Sequence, residues 1–317
     1  MAENTDTRAH IRETSVSLAV NLGGLPMKNP VTDASGTFAA GREFSAFVDV
    51  AELGAVTTKG VSLNGWQGNA APRIAETPSG MLNSIGLQNP GVAHLMADEL
   101  PWLKSQGATA IVNVSGHSFD EYVQVIEALE DSDAVGAYEV NISCPNVDEG
   151  GMTIGTDPAS VQKVVGACRR ATKRPLIVKL TPNVTDVAEI ARAAVSAGAD
   201  ALSLINTVLG MAVDAERRRP QLARVVGGLS GPCVKPIALR QVWEVHNAVD
   251  VPLLGMGGIS SGIDAIEFML CGATAVAVGT ANFVCPTATV DVANGIIDYC
   301  ERQGVSDVAE LIGGLQC

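Results

Sequence analysis

The stretch Ser196-Ala-Gly-Ala-Asp-Ala-Leu-Ser-Leu-Ile205 ends one structural element and begins the next. Apolar side chains recur at three- and four-residue steps up to this point, which predicts a helix over residues 186–197. Gly198 stops the helix, because glycine adopts the left-handed conformation of a helix C-terminus at little cost. The apolar run at residues 201–205 then predicts a short buried strand. The stretch is typical of a helix that returns the chain to a parallel sheet.

The same helix-glycine-strand pattern occurs in Ser105-Gln-Gly-Ala-Thr109 and Leu270-Cys-Gly-Ala-Thr274. Along the chain, β-like runs alternate with helical stretches about every 30 residues, which is the rhythm of repeated βα units. The predicted strands are residues 31–34, 55–58, 109–114, 138–142, 176–180, 201–205, 252–256 and 274–278. Helices are expected to fill the gaps, most clearly at residues 120–130, 158–171, 186–197, 235–248 and 262–270. This pattern predicts an α/β fold, a TIM (β/α)8 barrel.

Additions to the barrel are predicted at its start and in its loops. Residues 15–20 and 27–30 flank Gly23-Gly24, which predicts an N-terminal β-hairpin that closes the barrel bottom. Long loops are expected after strands two, four and six, including residues 60–90 and 207–234, and such loops in a barrel often carry function. Residues 1–14 are predicted to be a flexible extension, and residues 15–317 a single barrel domain.

Composition narrows the class of protein. The chain has 317 residues, 47% of them hydrophobic and only 4% aromatic, with 33 glycines, which suits many tight connections between strands and helices. A net charge of −13 argues against a nucleic-acid partner. The seven cysteines lack metal-type spacing, so we expect no metal site and a reducing, cytoplasmic location. No apolar run is long enough to span a bilayer, and the polar start does not resemble a signal peptide.

Polar residues and glycines are concentrated at the predicted strand ends, where TIM barrels place their catalytic groups. The polar residues are Ser35, Lys59, Asn113, Asn141, Ser143, Cys144, Lys179, Asn206 and Thr207. Gly257-Gly258 and Gly279-Thr280 follow the last two strands, which favours a phosphate site. Such a site also fits isomerases and aldolases. The lysines are suited to a Schiff base or to facing a reduced isoalloxazine ring, and the asparagines suit a planar, imide-bearing ligand.

The segment Glu139-Val-Asn-Ile-Ser-Cys-Pro-Asn146 closely resembles the catalytic-loop motif of class 1 dihydroorotate dehydrogenases. The resemblance extends over nearly the whole chain from about Ser15, through Asp33-Ala-Ser-Gly-Thr-Phe38, Thr57-Thr-Lys-Gly60, Asn83-Ser-Ile-Gly-Leu-Gln-Asn-Pro-Gly91, Ile205-Asn-Thr207 and Gly227-Gly-Leu-Ser-Gly-Pro232. It implies that Cys144 is the base that removes a proton from C5 of dihydroorotate while C6 delivers hydride to N5 of FMN. A free thiol is mostly protonated at neutral pH, so either the site supplies some thiolate or activity should rise on the alkaline side.

The resemblance also assigns binding residues. It places Lys59, Asn83, Ser84, Ile85, Gly86, Leu87, Asn141, Asn146, Asn206 and Thr207 in the substrate pocket. It assigns flavin contacts to Ser35, Lys59, Gly60, Asn113, Asn141, Lys179, Ile205, Gly231, Gly257, Gly258, Gly279 and Thr280. One departure from the family pattern is Ala39, where a further glycine is expected in many relatives.

Three stretches look like the NAD-linked 1B branch of this family: Asn146-Val-Asp-Glu-Gly-Gly-Met152, Gly155-Thr-Asp157 and Ser230-Gly-Pro-Cys-Val-Lys-Pro-Ile-Ala-Leu-Arg240. That branch implies a homodimer joined to an electron-transfer subunit with FAD and a 2Fe-2S cluster, as a heterotetramer. The alternatives are the fumarate-linked 1A branch, a dihydropyrimidine dehydrogenase-like flavoenzyme, and an FMN-binding electron-transfer module without a substrate. Membrane-bound class 2 enzymes use serine as the base and carry an N-terminal membrane helix, and neither feature is expected here.

Overall fold

A computed structural model describes residues 6–143 and 154–316 of the chain. Within these residues the strands are β1 (Val20–Leu22), β2 (Leu25–Met27), β3 (Val31–Asp33), β4 (Val56–Thr57), β5 (Ile74–Thr77), β6 (Gly80–Asn83), β7 (Ala110–Val114), β8 (Val135–Asn141), β9 (Leu176–Lys179), β10 (Ala201–Leu204), β11 (Val208–Met211), β12 (Val213–Asp214), β13 (Arg219–Pro220), β14 (Val226–Ser230), β15 (Leu253–Met256) and β16 (Ala275–Val278). The helices are α1 (Val92–His94), α2 (Leu100–Ser105), α3 (Phe119–Leu129), α4 (Pro158–Ala171), α5 (Val187–Ser196), α6 (Lys235–His246), α7 (Gly262–Leu270), α8 (Ala281–Val284) and α9 (Ala288–Gln303).

Four of the barrel helices begin at a capping side chain. Each cap accepts a hydrogen bond from the backbone N–H three residues later: Ser118 from Glu121, Asp157 from Ser160, Asp186 from Glu189, and Ser261 from Asp264. These caps satisfy N–H groups that have no partner inside the helix. They fix the starts of α3, α4, α5 and α7, and thereby the ends of the loops that precede these helices.

Eight parallel strands form the barrel in the order β3-β16-β15-β10-β9-β8-β7-β4. All eight predicted strands are confirmed, with ends that differ from the predicted ones by at most three residues. The five helices singled out are confirmed as well. The gap between β3 and β4 is the exception, because short 3-10 helices (Arg42–Phe44 and Val50–Glu52) take the place of an α-helix there.

Side chains help to close the barrel between β3 and β4. Asp33 Oδ1 accepts a hydrogen bond of 2.8 Å from the backbone N–H of Thr57, and the hydroxyls of Thr32 and Thr57 lie 3.2 Å apart. Gly54 N donates to Val31 O over 2.9 Å. A side-chain carboxyl oxygen thus takes the place of a backbone carbonyl at this junction.

The predicted N-terminal hairpin is confirmed as β1 and β2, which cover the lower end of the barrel. Leu22, Leu25 and Met27 are buried there in one apolar cluster with inward-facing barrel residues such as Ile111. Gly23 has a φ of +61°, and a Cβ on it would lie 2.5 Å from the carbonyl oxygen of Asp200. The turn therefore requires glycine, both for its conformation and for its close approach to the barrel.

The two longest loops meet in an antiparallel sheet of four strands, ordered β11-β14-β6-β5. Strands β5 and β6 come from the loop after β4, whereas β11 and β14 come from the loop after β10. Leu229 pairs with Leu82 across the two loops, and Leu82 is buried with Ala75 and Leu222 in a small core. The sequence predicted these loops to be long but did not predict that they pair with each other.

The described part of the N-terminal segment lies along the barrel. Ala9 N donates to Phe47 O over 2.7 Å, and the Arg12 guanidinium contacts Asp298 and Glu301 of α9 at 2.8 Å each. Flexibility of residues 1–14 and a single domain over residues 15–317 stay predictions. None of the helices in the described residues combines the length and apolar character needed to cross a membrane.

Candidate active site

The inward-facing side chains of the barrel change from apolar to polar toward the carboxyl ends of the strands. Strand β7 carries Ile111 and then Asn113, and β9 carries Ile177 and then Lys179. Side chains two residues apart share a face of a strand, so the apolar members fill the lower barrel and the polar members lie above them. The carboxyl end of the barrel is therefore the candidate site.

Glu139 of β8 lies at the centre of this polar layer. Its buried carboxylate accepts hydrogen bonds from Asn113 Nδ2, from Ser203 Oγ at 2.7 Å and from Lys179 Nζ at 3.4 Å. Glu139 was not among the predicted site residues, although it begins the motif that carries the family resemblance. A charged residue two positions before Asn141, in an otherwise apolar strand, is the signal that would have identified it.

The loop after β3 receives both predicted site lysines. Lys179 Nζ donates to Ser35 Oγ over 3.1 Å. Lys59 N donates to Ala39 O over 2.9 Å, and a Cβ on Gly36 would lie 3.2 Å from Lys59 Nζ. Ala39 has a φ of +51°, a left-handed conformation that glycine adopts more readily, which gives a physical reason to expect glycine there in relatives.

Asn141, Ser143, Asn206 and Thr207 form a hydrogen-bonded group beyond β8 and β10. Asn141 Oδ1 accepts from the Ser143 hydroxyl and lies 3.5 Å from Asn206 Nδ2, which also donates to Ser143 Oγ. Thr207 N donates to Asn206 Oδ1 over 2.7 Å. The hydroxyl of Tyr122 on α3 donates to Asn141 O over 2.9 Å, which holds this group against the neighbouring helix.

Two predicted site residues, Cys144 and Asn146, lie outside the described residues. Ser143 is the last described residue before them, and its backbone N lies 3.3 Å from Asn141 Oδ1. The segment that contains Cys144 therefore begins at the hydrogen-bonded asparagine group.

Asn83 reaches the candidate site through the antiparallel sheet. It pairs with Gly228 of β14, and its Nδ2 donates to Gly228 O over 3.4 Å. A Cβ on Gly228 would lie 2.1 Å from Thr207 Oγ1, so the backbone of β14 passes directly over Thr207. The sheet thus brings Asn83 and Thr207, which are far apart in sequence, to opposite sides of one glycine.

The remaining predicted residues of this loop form a turn after β6. Asn69 fixes the turn, since its Nδ2 donates to the carbonyl and the hydroxyl oxygens of Ser84 at 3.1 Å each, and its backbone N donates to Ile85 O at 3.0 Å. Gly86 and Leu87 follow with φ values of +74° and +53°. Two successive left-handed residues reverse the chain at this point.

Glycines line the ends of β15 and β16. Gly258 has a φ of +84°, and a Cβ on it would lie 2.9 Å from Gly231 O. Gly257 has a φ of +126°, and its Cβ would lie 3.0 Å from Ile205 Cγ1. A side chain at either position would come too close to neighbouring atoms, so only backbone lines this part of the site.

Backbone donors remain available at these glycines. Among the described residues, no protein acceptor lies opposite the N–H groups of Gly258, Gly279 or Thr280. The Thr280 hydroxyl donates to Ser230 Oγ over 2.8 Å, which joins this loop to the end of β14 beside Gly231. Free backbone N–H groups in adjoining loops are suited to binding an anion. We call Gly231, Gly257, Gly258, Gly279 and Thr280 the glycine cradle.

A second carboxyl group, that of Asp33, lies near the polar layer. Asp33 is fully buried, and its Oδ2 has no hydrogen-bond partner among the described residues. Burial raises the pKa of this carboxyl to about 8, although its hydrogen bond from Thr57 N acts in the opposite direction. Within residues 6–143 and 154–316, His, Cys, Asp and Glu side chains form no group of three that could hold a metal ion.

By its fold the chain is a TIM barrel, and free N–H groups after the last two strands are the arrangement with which many barrel enzymes bind phosphate. Residues 17–299 match the family model described as dihydroorotate dehydrogenase, so the chain belongs to the dihydroorotate dehydrogenase family.

Curated relatives share its sequence over almost its full length. The catalytic subunit of dihydroorotate dehydrogenase B (NAD(+)) from Alkaliphilus oremlandii is 56% identical over 302 residues, which are 95% of this chain and 100% of that protein. The protein of the same name from Alkaliphilus metalliredigens is 54% identical over equal shares of both chains. The one from Pelobacter propionicus is 55% identical over 300 residues, 95% of this chain and 99% of that protein. The resemblance to the NAD-linked 1B branch is thereby confirmed.

Proposed function

We propose that this chain oxidises (S)-dihydroorotate to orotate in pyrimidine biosynthesis, with FMN as its bound cofactor. The observation that carries the proposal is the combination, in a member of this family, of a buried lysine in the polar layer with a glycine cradle at the same barrel end. The lysine suits a ring that gains negative charge, and the cradle suits a phosphate. A flavin mononucleotide carries both groups.

The described residues fit FMN in two further respects. Asn113 Oδ1 and Ser115 Oγ are buried and have no partner within residues 6–143 and 154–316, so a polar ligand edge would satisfy them. A Cβ on Gly60 would lie 2.6 Å from Asn113 Oδ1, so glycine at this position keeps the approach to that oxygen open. We assign the phosphate to the glycine cradle, and the ring to Ser35, Lys59, Gly60, Asn113, Asn141, Lys179 and Ile205. When bound, FMN supplies the hydride acceptor of the reaction.

The substrate pocket is assigned to the asparagine group and the turn after β6. Amide side chains both donate and accept hydrogen bonds, so Asn83, Asn141, Asn146 and Asn206 match an imide and a carboxylate without adding charge. Lys59 lies beside Gly36 and supplies positive charge for the carboxylate. Thr207 and residues 84–87 are the remaining residues that we assign to the substrate pocket. A buried polar group left unpaired costs about 1–3 kcal/mol, so a ligand that lacks the carboxylate binds less tightly.

Cys144 is assigned as the base, with its Sγ taking the proton from C5 of the substrate. The thiolate form does this work, and a thiol of ordinary pKa is mostly protonated at neutral pH. We therefore expect the rate of flavin reduction to rise with pH on the alkaline side of neutrality. The product is orotate, since loss of the C5 proton and the C6 hydride leaves a double bond between these two carbons.

We propose that electrons leave this chain for NAD through a partner subunit that carries FAD and a 2Fe-2S cluster. The relatives named above are catalytic subunits of NAD(+)-linked enzymes, and a catalytic subunit implies a further subunit. We place the complex in the cytoplasm as a heterotetramer built on a homodimer of this chain. Fumarate as the acceptor is the alternative.

The test is anaerobic reduction of the purified, FMN-loaded chain. Dihydroorotate should bleach the flavin absorbance, whereas dihydrouracil should not, and NAD added with the co-purified subunit should restore the colour. Cys144→Ala should lower the bleaching rate by at least 10²-fold, since general base catalysis contributes about 10²–10⁴-fold. Cys144→Ser should also be slow because a hydroxyl is far less acidic than a thiol.

Cys285→Ala is the matched control, because Cys285 is an exposed free cysteine outside the assigned site. It should bleach at the wild-type rate. Undiminished bleaching by Cys144→Ala would refute the assigned base. If dihydrouracil bleaches the flavin, the proposed substrate is wrong. If fumarate rather than NAD restores the colour, the proposed acceptor is wrong.

A further inference from the structure

Glu139 and Lys179 form a buried ion pair in the polar layer of the barrel. We propose that Glu139 is a positioning residue that acts on the flavin through Lys179, by holding its ammonium group and offsetting part of its charge. On this basis Glu139 lowers the affinity of the bound ring for electrons. The inference rests on the proposed FMN site and adds a residue that sets the redox behaviour of that site.

The ion pair between Glu139 and Lys179 is almost completely buried. The side chains of Lys179 and Glu139 are 5% and 0% exposed, and their charged atoms lie 3.4 Å apart. A buried carboxylate is costly unless donors surround it, and here the donors come from β7, β9 and β10 on both sides of β8. Asn113 and Ser203 hold the carboxylate from two directions, so its place beneath Lys179 is fixed.

Lys179 is held from across the barrel as well. Its Nζ donates to Ser35 Oγ over 3.1 Å, and Ser35 follows β3 on the opposite side of the barrel mouth. An ammonium group carries three N–H donors. In the described part of the chain, Glu139 and Ser35 accept two of them, which leaves one for a ligand atom. The lysine is therefore fixed in place before any ligand arrives.

The charges of Lys179 and Glu139 predict how Glu139 changes the affinity of the bound ring for electrons. A lone ammonium group beside an isoalloxazine ring stabilises the negative charge that the ring gains on reduction. A carboxylate 3.4 Å from that ammonium group opposes this stabilisation, because its negative charge offsets part of the positive charge that acts on the ring. Weaker stabilisation of the reduced ring makes it a better electron donor, which suits a chain that passes electrons on to NAD.

Glu139→Gln tests the proposal, because it keeps the size and one acceptor oxygen of the side chain but removes the charge. Sulfite is the probe, since it adds to N5 of oxidised flavins and leaves the ring negatively charged. We expect the variant to bind sulfite about tenfold more tightly, because a unit charge acts strongly through the low dielectric of the interior. A tenfold change corresponds to about 30 mV in the two-electron midpoint potential, which dye-linked titration should show as an increase.

The matched control is Asp200→Asn, which makes the same charge change in an ion pair with Arg169 at the other end of the barrel. It should leave sulfite affinity at the wild-type value. In a Lys179→Met background, Glu139→Gln should lose its effect, because the carboxylate acts through the lysine. Glu139→Asp keeps the charge but shortens the side chain, so it should tighten sulfite binding by less than Glu139→Gln does.

Unchanged or weaker sulfite binding in Glu139→Gln, with FMN retained, would overturn the proposal. Should Glu139→Gln not yield FMN-bearing protein, Glu139→Asp decides the question, and wild-type sulfite affinity in that variant refutes it. An equal effect with and without Lys179 would also refute it. These measurements use neither dihydroorotate nor NAD, so their failure leaves the proposed activity intact. A wild-type chain that binds no FMN would instead refute the proposed function itself.

Discussion

Ionisation of Asp33 is expected to weaken the barrel as the pH rises. The side chain is fully buried at the junction of β3 and β4, where Oδ1 accepts from Thr57 N and Oδ2 has no partner among the described residues. Protonated Asp33 keeps the acceptor that closes the junction and avoids a buried negative charge. Asp33→Asn mimics this protonated form, because an amide retains Oδ1 and carries no charge at any pH.

The sign of the effect follows from the two pKa values. Burial raises the pKa of Asp33 from 3.8 to about 8 in the folded chain. Between these values the folded chain holds a proton that the unfolded chain has lost, so the free energy of unfolding falls as the pH rises through this window. A difference of one bound proton between the folded and the unfolded chain changes the free energy of unfolding by about 1.4 kcal/mol per pH unit. Relative to Asp33→Asn, the free energy of unfolding of the wild type should fall by roughly 3–4 kcal/mol between about pH 5 and pH 8.

The assay is urea unfolding, followed by circular dichroism, of both proteins saturated with FMN across this pH range. The difference between their free energies of unfolding should grow steadily with pH. Asp157→Asn is the control, because hydrogen bonds from Ser160 lower the pKa of Asp157 and place its titration below the range tested. The difference in free energy of unfolding between Asp157→Asn and the wild type should stay constant across this pH range. A similarly constant difference for Asp33→Asn would refute a raised pKa at this position.

Two further predictions concern the cofactor and the substrate. Gly258→Ala should weaken FMN binding to the apo-protein at least tenfold, because left-handed strain of about 1–2 kcal/mol adds to the contact with Gly231 O. Gly107→Ala, at a φ of +75° but with no atom within 4 Å of its Cβ, should bind FMN normally, and equal loss in both variants would contradict a local effect. Leu82→Ala should destabilise the small core of the antiparallel sheet by about 2–5 kcal/mol and raise KM for dihydroorotate while the spectrum of bound FMN stays unchanged. An unaltered KM would show that this sheet does not shape the substrate pocket.

The barrel was predictable because its signals are local. Apolar periodicity distinguishes strands from helices, and glycines such as Gly198 mark where one changes to the other. The inward polar layer was also partly predictable, since alternation along a strand puts Asn113 and Lys179 at its carboxyl end. Glu139 obeys the same alternation and was missed because its neighbours read as an ordinary buried strand.

By itself the sequence determined the barrel, the hairpin beneath it and the end at which polar side chains collect, because these depend on residues close together in the chain. The tertiary structure decided which distant residues meet. It paired the two long loops in one sheet that brings Asn83 toward Thr207, and it made Asp33 an acceptor for Thr57 at the barrel junction. It also placed Glu139 among donors from three other strands. Such contacts depend on how the whole barrel closes, and residue spacing does not encode that geometry.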